Sequence, residues 1–334
     1  MKVADWKLLD PFLRAMNGVD KASVELLQTS RSSRCYYVSF GNEDHEYRPS
    51  MVVKVYPQEE RAAAIQEVKN LRWAEGVQQR MPRYAVRIPE VRWTNASLGM
   101  LATRWIPGRN LDTTLRSDSR LWSLHSSEGR NIAIIKLIEW LESFSRTHQE
   151  LSHFDLIDLQ DDTSWDRWTT WLAEANHFEK EWRSRVIPEL HNLRHKVKQK
   201  GAEGSFQHGD FTTGNVRFDP EGNIYVMDWE DLEIGSWLLP AYRFYYALRI
   251  AAFSLLAKPG FHKSIYENIA EFINTRQPDE EIRRYYRARA VLQYIKSLCR
   301  KPARMPKRYM IKRFLIKELN FQLEASLDDY SIKL

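Results

Sequence analysis

Residues Ser205–Asp231 read SFQHGDFTTGNVRFDPEGNIYVMDWED. Asp219-Pro220-Glu221-Gly222 has the residues of a type I turn: Asp first, Pro where a fixed φ is wanted, Gly last. Val216, Arg217 and Phe218 precede the turn, and the β-prone residues Asn223 to Met227 follow it, so the stretch is predicted to be a β-hairpin. If the turn is 219–222, Phe218 faces Asn223 and Asn215 faces Val226. Asp228 then lies diagonally from Asn215, roughly 7–8 Å away at Cβ. A carboxylate and an amide oxygen are hard ligands, so Asn215 and Asp228 are expected to share a small cation such as Mg²⁺. Asp210, on the loop before the hairpin, has no partner in this local scheme and is available as a base or substrate-positioning group.

The same residues resemble the aminoglycoside phosphotransferase and choline kinase-like family, whose motifs run H-G-D-x-x-x-x-N and, about a dozen residues later, D-W-E or D-x-E. Here they stand as His208-Gly209-Asp210-Phe211-Thr212-Thr213-Gly214-Asn215 and Asp228-Trp229-Glu230. Either piece alone is a weak signal; the two in order, with a hairpin between, are a strong one. The local alternative is that Asp210 caps a turn, Asn215 takes a left-handed position and Asp228 ends a strand. The resemblance implies an α+β, bilobal, protein kinase-like fold. Its small N-terminal antiparallel β-sheet lobe with one helix (1–106) would bind nucleotide, and its larger, mainly helical C-terminal lobe (107–334) would carry catalysis and substrate. It also implies ATP and Mg²⁺ as cofactors, metal binding by Asn215 and Asp228, and a catalytic Asp210. His208 is placed with the catalytic residues, bracing the loop through a hydrogen bond.

Upstream the pattern is that of strands. Val24–Leu27, Cys35–Phe40 and Met51–Tyr56 are β-prone, after a short amphipathic helix over 5–17. Lys54 lies inside an apolar strand, a costly position without a partner. Glu59 to Val77 reads as a helix with Glu67 among its apolar positions. In kinase-like folds a strand Lys paired to a Glu on the next helix is oriented onto the α/β-phosphates, a role the resemblance carries to Lys54 and Glu67. Glu59 and Glu60 compete for the second place. The loop after the first strand, Gln28 to Arg34, contains no Gly, so the phosphate cradle would rest on backbone N–H groups and on Ser30, Ser32 and Ser33, with charge from Arg31 or Arg34. Val86–Val91 and Gly99–Gly108 complete the small lobe. The extended segment Thr103–Ile106, including Trp105, resembles the family's hinge and is expected to meet the adenine edge through its backbone.

From Leu111 the chain turns helical. Ile134, Leu137, Ile138, Leu141 and Phe144 recur at helical spacing, as do Trp168, Trp171, Leu172, Ala175, Phe178 and Trp182, the latter ended or kinked around Pro188. Asp155, Asp158, Asp161, Asp162 and Asp166 form an acidic loop. His191 and His195 sit four apart on a helix but have no third ligand nearby, which favours a solvated face over a metal site. The family usually carries a bracing Asp a few residues after a Pro; here Arg243 stands in that place. Three more helices are expected to finish the chain.

The chain has 334 residues, twelve Trp, two Cys and a net charge of +6. No apolar run of membrane-spanning length and no signal peptide is seen, and Cys35 and Cys299 read as free thiols in a reducing compartment. The expected location is cytoplasmic, or peripheral to the inner face of a membrane. Residues 283–317 hold thirteen Lys or Arg and no Asp or Glu; without them 37 cations stand against 44 anions. Such a segment suits an anionic glycan or a membrane surface, or else a solvated helix face; no nucleic acid is expected. The resemblance implies phosphorylation of a hydroxyl on a small molecule. A sugar or surface-glycan component is preferred over an aminoglycoside, since a polycation needs a carboxylate-rich pocket. A catalytically silent nucleotide-binding docking module is the alternative from another class, and a protein kinase a third.

Overall fold

The computed structural model describes residues 3–16, 22–30, 32–41, 50–81, 85–111, 113, 127–151, 163–174, 178, 180–200, 205–254, 259–299 and 306–323. The chain divides into two compact units: 1–80, 86–109 and 217–231 form the first, and 81–85, 110–216 and 232–334 the second.

The first unit is built on an antiparallel five-stranded sheet. It contains β1 (Ala22–Thr29), β2 (Arg34–Phe40), β3 (Met51–Val55), β5 (Val91–Asn95) and β6 (Met100–Arg104), in the order β1-β2-β3-β6-β5. Alternation decides its faces. Met51, Val53 and Val55 join Tyr36, Val38 and Phe40 of β2 in a core with Leu9, Phe12 and Leu13 of α1 (Val3–Ala15). Lys54 therefore points to the opposite face, against α2 (Arg61–Arg80). The buried stripe of α2 runs Ala64, Glu67, Leu71, Ala74, Val77, so Glu67 occupies a position that helical spacing assigns to the interior. Glu59 and Glu60 lie in the 3₁₀ turn before α2, outside that stripe.

The segment 86–91 holds parts of two strands: β4 is only Val86–Arg87 and pairs in parallel with β10 (Ile224–Val226), while Val91 opens β5; β7 is Arg109–Asn110 and β9 is Val216–Phe218. Pro89 separates the two, because it has no N–H for a ladder. The 219–222 turn forms, with the Gly222 N–H on the Asp219 carbonyl at 3.1 Å, but the Asp219 N–H donates to Asn223 at 3.0 Å. Gly222, at φ 82°, is a left-handed bulge residue that adds one position to the loop. Asp219 thus faces Asn223, and the expected pairs Phe218–Asn223 and Asn215–Val226 shift by one. Gly108, at φ 103°, lies so close to the Phe218 carbonyl that a Cβ there would sit 2.0 Å from the oxygen. Pro107-Gly108 is therefore a close approach as well as a turn.

The second unit is helical. Its helices are α3 (Ser127–Leu151), α4 (Thr163–Glu174), α5 (Lys180–Gln199), α6 (Leu238–Ser254), α7 (Pro259–Arg276), α8 (Glu280–Cys299) and α9 (Pro306–Gln322). The three helices after α6 are those expected. The stripe from Trp168 to Trp182 belongs to two helices, α4 and α5, and Pro188 lies inside α5 rather than at a boundary. Ile134, Leu137, Ile138, Trp140, Leu141 and Phe144 of α3 are buried; α3 packs on α7, and α6 on α7, α8 and α9. A two-stranded ribbon, β8 (Ser205–His208) with β11 (Leu232–Gly235), pairs His208 with Leu232 and fixes the start of the loop that carries Asp210. The acidic positions 155–162 lie outside the described residues.

Candidate active site

In the first unit Lys54 is the centre of an ionic cluster. Its Nζ is 3.0 Å from Glu67 Oε2, 2.9 Å from Asp228 Oδ1 and 3.2 Å from Glu230 Oε2. The Lys54 side chain is 13% exposed and that of Glu67 only 5%, so this is an interior pair. Burial works against the Lys54 ammonium, but the Glu67 and Asp228 carboxylates outweigh it and hold its pKa above the ordinary lysine value. Tyr56, two residues on and on the same strand face, donates its hydroxyl to Glu67 and lies 3.3 Å from Glu230. Asp228 has φ 61°, the only left-handed non-glycine residue among those described. Such a conformation costs of order 1–3 kcal/mol and persists only where neighbours enforce it. They do so here: Asn70 of α2 donates to the carbonyls of Trp229 (2.8 Å) and Glu230 (2.9 Å), and the Trp229 indole donates to Val226 (2.9 Å).

The turn between β1 and β2 closes on its own hydroxyls. The Ser33 N–H donates to Ser30 Oγ at 2.9 Å, the Ser30 N–H donates to the Ser33 carbonyl at 2.8 Å, and Ser30 Oγ is 3.3 Å from Ser32 Oγ. The amides of Ser30 and Ser33 and the hydroxyls of all three Ser residues are thereby engaged with one another within the turn. Arg31 lies outside the described residues. At the expected hinge, Thr103 sits in β6 opposite Val52, and Ile106 is buried. The Trp105 N–H is committed to the Ser50 carbonyl at 2.8 Å. The Trp105 indole packs edge-on against Tyr37 and carries the Arg217 guanidinium 4.6 Å from its ring. Cys35 pairs across the ladder from Lys54, on the same face; burial pushes its thiol up to about 11 against the pull of the Lys54 charge.

In the second unit Asp210 is held from three sides. Its N–H donates to His208 Nδ1 at 3.1 Å, which makes the buried His208 a brace for the loop. Asn215 Nδ2 donates to the Asp210 carbonyl at 2.8 Å and to Oδ2 at 3.0 Å. Two acceptors fix the amide nitrogen toward Asp210, so Oδ1 is the atom Asn215 can offer a cation. Arg243 of α6 reaches Asp210 Oδ1 at 3.2 Å. Phe211 is fully buried between His208 and Phe244, anchoring the loop on α6.

Asp228 belongs to the first unit and Asn215 to the second, each with a hard oxygen donor. Among the described residues the one carboxylate cluster of metal-ligand spacing is Glu67, Asp228 and Glu230, at present bridged by Lys54. His191 is exposed, and His195 pairs with Gln199 at 2.9 Å. Six cations of the basic segment have partners within the fold. Arg283 and Arg284 bind main-chain carbonyls, Arg287 and Arg289 lie over Tyr242 and Tyr285, and Lys296 and Lys312 lie over Trp171 and Phe178.

Sequence reasoning missed Tyr56, Asn70 and the contact of Arg243, and it quoted Glu230 in the motif without giving it a role. Two of them carried a signal. Tyr56 is two residues from Lys54 on one strand face, and Asn70 is one turn from Glu67 on one helix face.

An antiparallel sheet with one early helix, followed by a larger helical unit, defines the kinase-like class. The sequence matches the phosphotransferase enzyme family over residues 23–259, and the chain belongs to that family. The choline kinase LicA from Streptococcus pneumoniae shares the fold, with 13% identity, TM-score 0.56 and coverage of 94% of this chain and 98% of its own. The aminoglycoside phosphotransferase APH(4)-Ia does so with 14% identity, TM-score 0.58 and coverage of 96% and 99%. The ADP-bound APH(2'')-Ib does so with 14% identity, TM-score 0.52 and coverage of 95% and 96%. A sequence search of curated proteins finds no match.

Proposed function

We propose that the chain transfers the γ-phosphoryl group of ATP to a hydroxyl of a small molecule, with a sugar or surface-glycan component as the preferred acceptor. The observation that carries the reading is the buried Lys54–Glu67 pair with Asp228 on the same ammonium. An unpartnered Lys in a sheet would be a burden, whereas a Lys pre-set by a buried Glu beside a forced left-handed Asp is a phosphate and metal site waiting for its charge. Lys54 would grip the α/β-phosphates and Asp210 would orient and accept the proton of the attacking hydroxyl. Phosphoryl transfer asks mainly for positioning and charge neutralisation, so these residues are sufficient in kind. The donor chemistry of Asp228 and Asn215 fits Mg²⁺, which would neutralise charge on the ATP phosphates. Thr103, Trp105 and Ile106 would border the adenine, and the hydroxyls of Ser30, Ser32 and Ser33 the triphosphate.

Support for nucleotide use comes from similar structures: a thermostable mutant of APH(4)-Ia has been solved as a ternary complex with AMP-PNP and hygromycin B, and LicA in complex with AMP. The acceptor preference rests on charge. Asp210 already faces a guanidinium, so the catalytic carboxylate offers less to a polycation than a bare one would. A contact with an anionic glycan or membrane surface would fall to the outward Arg313 and Lys317 of α9, beside the exposed Met310 and Phe321.

The test is Mg²⁺-dependent turnover of ATP with a panel of sugars, glycan fragments, choline, aminoglycosides and Ser/Thr peptides. Asp210→Asn should lower kcat by about 10²–10⁴-fold while ATP still binds, the range of a positioned base. Unchanged kcat in Asp210→Asn refutes the assignment. ATP binding without turnover on any acceptor favours the docking module.

A further inference from the structure

Asp210 has a cationic partner that its own loop does not provide. Arg243 stands 33 residues on, in the first half of α6, and its Nη2 lies 3.2 Å from Asp210 Oδ1 while Asn215 Nδ2 lies 3.0 Å from Oδ2. Each carboxylate oxygen therefore has its own donor. Two such donors fix both torsions of the Asp side chain, where one would leave the carboxylate free to turn about the remaining contact. Arg243 is itself constrained. Its side chain is 12% exposed against 50% for Asp210, and its carbonyl accepts the Tyr294 hydroxyl of α8 at 2.8 Å. The next residue, Phe244, packs on Phe211, the residue after Asp210, with ring centroids 5.5 Å apart. Loop and helix are thus clamped twice in adjacent positions, once by aromatic contact and once by charge.

We propose that Arg243 is a positioning residue for phosphoryl transfer: it holds the Asp210 carboxylate in the orientation that receives the acceptor hydroxyl. This rests on the phosphotransfer reading above. An acidic brace at this place would repel the Asp210 carboxylate and would have to act through another group; Arg243 acts on the carboxylate directly. Its near-burial separates it from acceptor recognition, because the guanidinium faces Asp210 rather than solvent. A misplacement of about 1 Å at a reacting group is worth about 10²-fold in rate, and that is the size of effect the contact carries.

The experiment compares the wild type with Arg243→Gln, Arg243→Lys, Asp210→Asn and the Arg243→Gln/Asp210→Asn double variant. Mg²⁺-ATP turnover is followed with the acceptor found by the panel and with water. Arg243→Gln should lower kcat by about 10²-fold with the KM for ATP within about twofold of wild type, and Arg243→Lys should recover most of the loss. The double variant should be no slower than Asp210→Asn, since both changes act through one carboxylate. Additive losses, an Arg243→Gln enzyme as fast as wild type, or a parallel fall of kcat, ATP affinity and melting temperature each overturn the proposal. A wild type that turns over nothing refutes the phosphotransfer reading instead. Arg243 is then judged from crystal structures of wild type and Arg243→Gln: a carboxylate rotated away from Asn215 sustains the positioning role, and one left in place overturns it.

Discussion

Replacing Lys54 by Met isolates the energetics of the ionic cluster, because Met keeps much of the stem volume and removes the charge. Glu67 loses a partner at 3.0 Å, an attraction of about 5 kcal/mol at an effective dielectric constant of 20. Removing one member of a buried pair ordinarily costs about 3–5 kcal/mol. Two features place this case near the lower end: Tyr56 still donates to Glu67, and Asp228, 44% exposed, can turn to water. A loss of about 3 kcal/mol is therefore expected near pH 7.5, or a fall in melting temperature of about 6–12 °C. The deficit should shrink on acidification. Burial already raises the Glu67 pKa, and without the ammonium the folded variant binds a proton more readily than the unfolded chain, so its stability rises as pH falls. Millimolar Mg²⁺ or Ca²⁺ should stabilise Lys54→Met more than wild type, because the carboxylates of Glu67, Asp228 and Glu230 lie within 4.8 Å of one another with no cation between them. Thermal unfolding of both proteins at pH 5.5 and 7.5, with and without divalent cation, reads all of this. A variant that melts with wild type at pH 7.5, or whose deficit is unchanged at pH 5.5, refutes the reasoning.

Tyr56→Phe removes the hydroxyl that joins Glu67 to Glu230 and should cost about 2 kcal/mol in denaturant unfolding, with weaker ATP binding by calorimetry. Gly108→Ala, with its Cβ driven 2.0 Å from the Phe218 carbonyl at φ 103°, should destabilise by at least about 3 kcal/mol. Gly76→Ala, in the interior of α2 with nothing within 4 Å of the new Cβ, should instead stabilise by about 0.5–1 kcal/mol; equal melting temperatures for the two variants would contradict at least one of these expectations. The Cys35 thiol, pushed up to about 11, should alkylate slowly at pH 8 and about tenfold faster per pH unit until that value is reached; a rate that levels off near pH 8.5 would show an ordinary thiol.

Much of the fold was legible because its signals were local. The apolar runs of β2, β3 and β6, the stripe of α2 and the type I turn need only neighbouring residues. β5 was missed for a physical reason: Val91–Asn95 is an edge strand with no alternation of buried and exposed positions, and its identity comes from pairing with β6. The hairpin register was off by one because composition fixes the turn type but not the bulge. Only the hydrogen bond from Asp219 to Asn223 shows that Gly222 adds a residue to the loop. One residue is enough to change which side chains share a face.

The candidate site divides along the same line. Lys54 and Glu67 could be picked out because each is a charge at a position whose periodicity demands an apolar residue, a conflict that a site or a buried partner must resolve. Arg243 gave the opposite impression, a gap where an acidic brace was expected, because its meaning lies in a contact across 33 residues. The basic segment, too, depends on contacts that the sequence does not show. Thirteen cations in sequence suggest a field that reaches solvent, but a cation lying on an aromatic ring or bonded to a helix-end carbonyl is held inside the fold and presents little to a partner. Six of the thirteen are so engaged, by aromatics on α4, α6 and α8, by Phe178 before α5, and by carbonyls at the ends of α7 and α9. Charge count bears on partners only after those internal contacts are subtracted. Among the described residues Arg313 and Lys317 of α9 remain outward; the carboxylate that Arg243 holds is the better place to look for the choice of acceptor.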